Sequence, residues 1–390
     1  MKKRSTLTRT HLTKPLIGIP LTTTVLLTIQ MRTAVNNNIT IGMDLGNKVH
    51  KVIGLDERGK EILRCEVENT KPSVEAFFKN HPNATIAMET GTCCRWISKL
   101  ARVHCRDAIV GNARKLRAIW QSKQKNDWND AHMIAALARA SRELFHPVML
   151  RDDEHHDLYQ LIQLRDIAVR QRTQTVNSIR GMCKSSGDFV RKCDAQGLHR
   201  HLEYIPESQA WKFMPMVERL DTIAENIKRY DFMIQDYAEA HFKTSVDLLQ
   251  TIPGVGLITS CMFVALIQDP KSFGCPRDAG CYFGLTAGQD QSGDKDAPMH
   301  VTKAGNMQMR KLLTTAANYI LRNSSPDSAL KRYGLRICAR GGKIARRKAK
   351  TAIARKLSVV MMAMLQSGEP YDDERVGREP KPTSSELIAI

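Results

Sequence analysis

The sequence has no Cys-x-x-Cys pair among its ten cysteines. That removes the usual zinc-ribbon and dithiol frameworks, and reduced, mostly buried thiols become the reading of all ten. It also has no apolar run long and pure enough to cross a bilayer. The best candidate, Pro15 to Ile29, is broken by Gly18, Pro20 and threonines, and a spanning helix needs about 20 apolar residues. Basic residues precede that run as in a signal peptide, but no small-x-small cleavage pattern follows it. The plainer expectation is that translation starts at Met31, leaving residues 1–38 as a disordered or mis-started leader. Acids are scarce too: 40 Asp+Glu against 59 Lys+Arg give a formal charge of +19. Such an excess points to a polyanionic partner, nucleic acid before an anionic membrane surface. What is present is ordinary globular material, 42% apolar over 390 residues, enough for two or three domains.

From Ile39 the pattern turns into short apolar runs. Ile39–Asp44 reads as a buried strand ending in an acid, His50–Leu55 as its hairpin partner and Lys60–Val67 as a third strand. A helix follows over 72–80. Ala84–Glu89 is again an apolar strand ending in an acid, followed by a helix through Leu100 and a strand at Asp107–Val110. Three strands followed by strands alternating with helices predict an α/β sheet, whose chemistry lies at the carboxyl ends of its strands. Asp44 and Glu89 stand at two such ends. Further on, Lys125-Asn-Asp-Trp-Asn-Asp-Ala131 opens an apolar helical run and carries Asp127 and Asp130 at i and i+3, on one helix face. Taken alone, that pair is an acid-rich helix start. With Asp44 and Glu89 it makes an ordered set of four carboxylates, hard oxygen ligands suited to Mg²⁺.

That arrangement resembles the ribonuclease H-like fold, in which strand-end acids and a late helical acid pair hold two Mg²⁺ ions for phosphodiester displacement. A rival reading of Asp44-Leu-Gly-Asn-Lys48 is the phosphate loop of an actin-like or sugar-kinase fold, but no second phosphate loop or glycine-rich adenosine motif follows. Instead Arg95, Lys99, Arg102, Arg106, Arg114, Lys115, Arg117, Lys123 and Lys125 are expected around the site, a charge run suited to a nucleic-acid backbone. Met43-Asp-Leu-Gly46, Met88-Glu-Thr-Gly-Thr92 and Lys125–Ala131 together resemble the RuvC-like domain of DEDD-type insertion-sequence transposases, the family guided by a bridge RNA. The resemblance implies that Asp44, Glu89, Asp127 and Asp130 are the metal-binding tetrad.

Two long helical patterns follow, about Asp153–Ser185 and about Ser208–Phe242. They suit an antiparallel helical pair or short coiled coil. The pair could be packing within the chain or, as the resemblance implies, a dimerising connector over 151–245. The remaining chemistry falls in 246–368. Leu248–Cys261 reads as helix, Gly254-Val-Gly256 turn, helix, a helix-hairpin-helix pattern whose glycines let backbone amides approach phosphate. Ser292 lies in a polar loop between Tyr282-Phe-Gly-Leu-Thr286 and the basic stretch with Lys303, Arg310 and Lys311, three cations expected to meet nucleic-acid phosphates. A lone Ser-Gly is ordinarily a turn. The stretch as a whole resembles the C-terminal domain of the same family, which implies that Ser292 is the nucleophile joined covalently to DNA. Ala287 stands where the family commonly has proline. Lys331 to Lys356 holds eleven Lys/Arg and no acid, with Lys343, Arg346 and Arg347 expected to contact nucleic acid. Residues 369–390 are expected to be a flexible tail.

The expectation is a RuvC-like α/β domain over 39–150, the helical connector, and a mainly helical C-terminal domain. Its function would be RNA-guided transposition, cutting and rejoining DNA with two Mg²⁺ ions and Ser292. The implied partners are donor and target DNA, a bridge RNA and further copies of the chain, without a membrane. The implied location is cytoplasmic and nucleoid-associated. A resolvase-type nuclease in which water attacks is the alternative, and a nucleic-acid-binding scaffold with a degenerate site is a third.

Overall fold

The computed structural model describes residues 38–119, 126–190, 205–288, 291–292, 295–296 and 299–377. The expected leader, apart from Asn38, and Lys123, Lys125 and Cys193 lie outside them. The chain divides into two compact units, Met1–Met149 and Leu150–Ile390.

The first unit is built on a five-stranded mixed sheet. Its strands are β1 (Thr40–Asp44), β2 (Val49–Leu55), β3 (Glu61–Glu68), β4 (Thr85–Glu89) and β5 (Asp107–Gly111), in the spatial order β3-β2-β1-β4-β5. β1–β2 and β2–β3 pair antiparallel, β1–β4 and β4–β5 parallel. The central strands are continuous apolar runs because both faces are covered; Ile41, Met43, Ile86 and Met88 are wholly buried. Edge strand β3 instead alternates half-buried and exposed residues along most of its length. Helix α1 (Lys71–Lys79) starts where the Thr70 hydroxyl accepts the Ser73 amide and Pro72 occupies the first turn. Helix α2 (Cys94–His104) runs four residues past the expected Leu100, with Ala101 buried in its extra turn. α3 (Ala113–Ile119), not foreseen from the pattern, and α4 (Asp127–Ala140) complete the unit. This is the mixed α/β sheet that the sequence suggested, in an order compatible with a ribonuclease H-like domain.

The second unit is mainly helical. Its elements are α5 (Asp153–Ser185), α6 (Glu207–His241), α7 (Lys243–Gln250), α8 (Leu257–Ile267), α9 (Asp278–Tyr282), strands β6 (Gln291–Ser292) and β7 (Lys295–Asp296), then α10 (Met307–Ile320), α11 (Ala329–Cys338), α12 (Gly342–Ser367) and α13 (Asp373–Gly377). α5 and α6 pair antiparallel. Val176, Ile179 and Cys183 pack with Phe213, Val217 and Leu220, Ala168 packs with Ile223 and Ile227, and the Arg165 guanidinium meets Asp231. Leu158, Ile162, Ile234 and Ala238, at the other end of the pair, join a large core around α8, whose Thr259–Ile267 are all buried. The connector and C-terminal domain expected as separate pieces therefore share one core. Residues 369–377 are not the flexible tail expected from their composition. Asp373 accepts hydrogen bonds from the Ala329 amide (2.6 Å), the Tyr371 hydroxyl (2.8 Å) and Arg332 (2.7 Å), and Tyr371 and Val376 pack on the core.

Candidate metal centre and serine hairpin

Asp44 ends β1 and Glu89 ends the neighbouring β4, each one residue past the paired Met43 and Met88. Asp127 and Asp130 lie in the first turn of α4, where the Asn126 side chain accepts the Trp128 amide at 3.0 Å. A capped, acid-rich helix start explains those two residues alone. It does not explain why a strand-end acid meets them. One carboxylate oxygen from each of Asp44, Asp127 and Asp130 lies within 4.8 Å of the others. Octahedral Mg²⁺ ligands about 2.1 Å from the ion stand about 3 to 4.2 Å apart, so three all-oxygen donors at this spacing fit a hard divalent cation. Glu89 shares the sheet edge with Asp44 but is not one of the three.

Two features that hold this geometry went unnoticed in the sequence. At Gly42, a Cβ would stand 2.2 Å from the Ala131 carbonyl oxygen and 2.5 Å from the Ala135 amide nitrogen. α4 therefore seats directly on the β1 backbone, which brings its first turn to Asp44. An interior strand glycine was the available signal. The second feature is Trp128, between the two aspartates. Lys51 and Arg64 each stand 5.0 Å from its ring centroid, cation–π contacts that tie the start of α4 to β2 and β3.

The basic residues expected around the site divide between the two ends of the sheet. Arg95 and Lys99 lie in the half of α2 that follows β4, and Arg114 and Lys115 follow β5, so both pairs are on the acid side. Arg102 and Arg106 belong to the far end, where Arg106 donates to the Thr85 hydroxyl at 2.7 Å. Their expected place beside the acids is corrected by the return direction of α2.

In the second unit, Ser292 is not in an open loop. Its backbone belongs to β6, which pairs with β7 as Ser292↔Lys295 and Gln291↔Asp296. The stem below is held by the Ala287↔Val301 bridge and by the Gly288 amide donating to the His300 carbonyl at 3.0 Å. Further down, Gly284 and Gly305 face main chain, where added Cβ atoms would stand 2.4 Å from the Ala304 nitrogen and 1.9 Å from the Tyr282 oxygen. Lys303, at φ 52°, turns the chain here. Arg310 donates through Nη1 to the carbonyls of Phe283 (3.2 Å), Ala304 (3.3 Å) and Gly305 (2.8 Å). That clamp is a structural task the expected phosphate contact did not include. Lys311 reaches Asp166 at 3.4 Å. Lys343, Arg346 and Arg347 are exposed along α12. Gly254 has φ 90° and packs against Tyr319, whereas nothing stands within 4 Å of a Cβ at Gly256. The nine described cysteines are free, but only Cys94, Cys183 and Cys261 are buried, fewer than expected. Among the described residues no helix is long and apolar enough to cross a membrane.

Residues 41–186 match a DEDD transposase family of the IS110 type, and residues 246–334 match a second transposase domain. The chain is 28% identical over 339 residues to the transposase for insertion sequence element IS1111A of Coxiella burnetii, covering 85% of this chain and 90% of that one. It is 26% identical over 289 residues to the transposase for IS1328 of Yersinia enterocolitica, covering 72% and 83%. A probable family 20 transposase of Pseudomonas aeruginosa is 24% identical over 294 residues, covering 72% and 84%. A sheet-edge acid cluster in the one domain and a second transposase domain after it define a DEDD-type transposase, an enzyme that cuts and rejoins DNA. Within that class, the chain belongs to the IS116/IS110/IS902 family of insertion-sequence transposases.

Proposed function

We propose that the chain moves its insertion sequence with Mg²⁺ held by Asp44, Asp127 and Asp130, with Glu89 completing a two-ion tetrad, and with Ser292 as nucleophile. The convergence of Asp44 with the α4 aspartates carries this reading. When bound, Mg²⁺ would offset charge on the attacking and leaving oxygens of the scissile phosphate. The chain's own residues do the rest. Gly42 and Trp128 fix the acids, and the backbone-paired hairpin presents Ser292. The Ser292 oxygen forms a bond to phosphorus, its proton passes to solvent, and the bridging P–O bond to the departing strand breaks. The departing oxygen takes up a proton. The phosphoserine ester keeps the bond energy for rejoining. Gly256 leaves the amides opening α8 approachable, which supports a helix-hairpin-helix contact with DNA phosphates. The resemblance and the +19 charge support a bridge RNA as the guide, and the exposed side of the α5–α6 pair is proposed as a contact between copies.

The test is a covalent adduct on denaturing gels with guide RNA, donor and target DNA and Mg²⁺. Wild type should form it. Ser292→Ala and Asp130→Asn should bind nucleic acid but form none. An adduct in the Ser292→Ala variant would leave the resolvase reading, with water attacking, as the better account.

A further inference from the structure

Unit two contains a groove of about 680 Å³ between α12, Tyr333 of α11 and the chain at 299–301. It lies against the stem of the Ser292 hairpin, because Met299, His300 and Val301 are the strand that pairs with 287 and 288. Five cations line it, Arg277, Arg347, Lys348, Arg355 and Lys356, and among the described residues no acid does. Leu285, Met299, Val301 and Val359 give it an apolar floor.

The two halves of that lining ask for different parts of one ligand. A row of cations without acids selects a polyanion. A duplex satisfies such a row from its phosphates alone and offers no base face, since its bases are stacked on one another. An unpaired strand offers both, phosphates for the rim and a base face for the floor. The volume falls in the range of about 300 to 1,000 Å³ that holds small organic ligands, room for one or two nucleotides. Lys356 is already partly withdrawn from water. Its ammonium donates to the Val376 carbonyl at 2.9 Å and lies 4.9 Å from the Tyr333 ring centroid. Burial, and then the Arg336 guanidinium, pull it below its ordinary range, so an arriving phosphate would favour its charged form.

We infer that this groove seats one or two unpaired nucleotides of a single DNA strand, bases on the apolar floor and phosphates on the α12 cations, beside the hairpin that carries Ser292. The choice of DNA over RNA rests on the proposed role of Ser292, since the strand next to the nucleophile is the one being cut.

Fluorescence anisotropy on the full chain in EDTA tests this. The probes are a short labelled oligothymidylate, a chain of equal length made of abasic sites, the matching oligouridylate and a duplex. Wild type should bind oligothymidylate about ten-fold more tightly than the abasic chain, because the bases are held as well as the phosphates. Thr351→Phe, which fills the groove from α12, and Met299→Asp, which spoils its floor, should each erase that preference. Circular dichroism melts confirm that each variant is folded. Arg347→Gln with Arg355→Gln should weaken both strands alike. Equal binding of thymidylate and abasic chains by wild type, or a preference that survives both floor variants, overturns the groove as a base site. Tighter binding of oligouridylate overturns the assignment to DNA. Because EDTA removes metal chemistry, these outcomes are separate from the adduct assay; Mg²⁺-dependent adducts with no base preference would sink this inference alone.

Discussion

Gly42 and His50 show how much the first unit depends on single positions, one by the side chain it lacks and one by a buried imidazole. Gly42→Ala would place a methyl 2.2 Å from the Ala131 oxygen. Main chain cannot rotate away as a side-chain tip can. The variant should lose about 3 kcal/mol or more, the upper end of overpacking costs, read as a lower urea midpoint. A midpoint within error of wild type would show that α4 is free to lift. His50 is wholly buried in β2 and neither ring nitrogen has a hydrogen bond of normal geometry among the described residues. Burial lowers its pKa below the ordinary 6.5, and Asn69 offsets only part of this. With the folded value below the unfolded one, its contribution is intact above about pH 6.5. It is lost as the pH falls further, when the unfolded chain takes up the proton first. His50→Leu should therefore flatten the decline of the urea midpoint between pH 7 and 5. An unchanged slope would mean that other groups dominate acid unfolding.

The elements were readable where local pattern decides them. α5 was expected at Asp153–Ser185 and is found there, because Asp152 caps it and its apolar positions repeat at helical spacing. The strand ends were readable because apolar runs stop at acids. What stayed hidden depends on distant partners. α13 looked like tail because its anchor, Asp373, is satisfied by Ala329 and Arg332, remote in the chain. The Arg310 clamp stayed hidden because its carbonyl partners meet only when two glycine turns close on each other. The fit of α4 on β1 was likewise invisible, although a glycine inside a strand marked the place. α6 carries one local rule broken, Pro215 inside the helix. Proline has no N–H for the Trp211 carbonyl, a loss that costs up to about 3 kcal/mol in a helix interior. Pro215→Ala should raise the melting temperature of the full chain; a lower one would mean the α5–α6 packing is fitted to the proline.

For the molecule as a whole, the +19 charge makes nucleic-acid affinity a salt-dependent quantity. The logarithm of duplex affinity should fall linearly with the logarithm of salt, by about 0.9 for each phosphate neutralised. Lys343→Gln with Arg346→Gln should lower that slope by about 2, and an unchanged slope would remove α12 from the duplex contact. The seat of α4 on Gly42 carries a further consequence, one of cooperativity. A helix resting on side chains can loosen by degrees, but one whose main chain touches the main chain of β1 either fits or comes away. Its amides and those of β1 should then exchange with solvent hydrogen in one step and with one opening free energy. Faster exchange over Ala131–Ala138 than over Thr40–Asp44 would show separate openings. If the two exchange together, Asp44 and the α4 aspartates cannot part by half, and the centre they form is present whole or not at all.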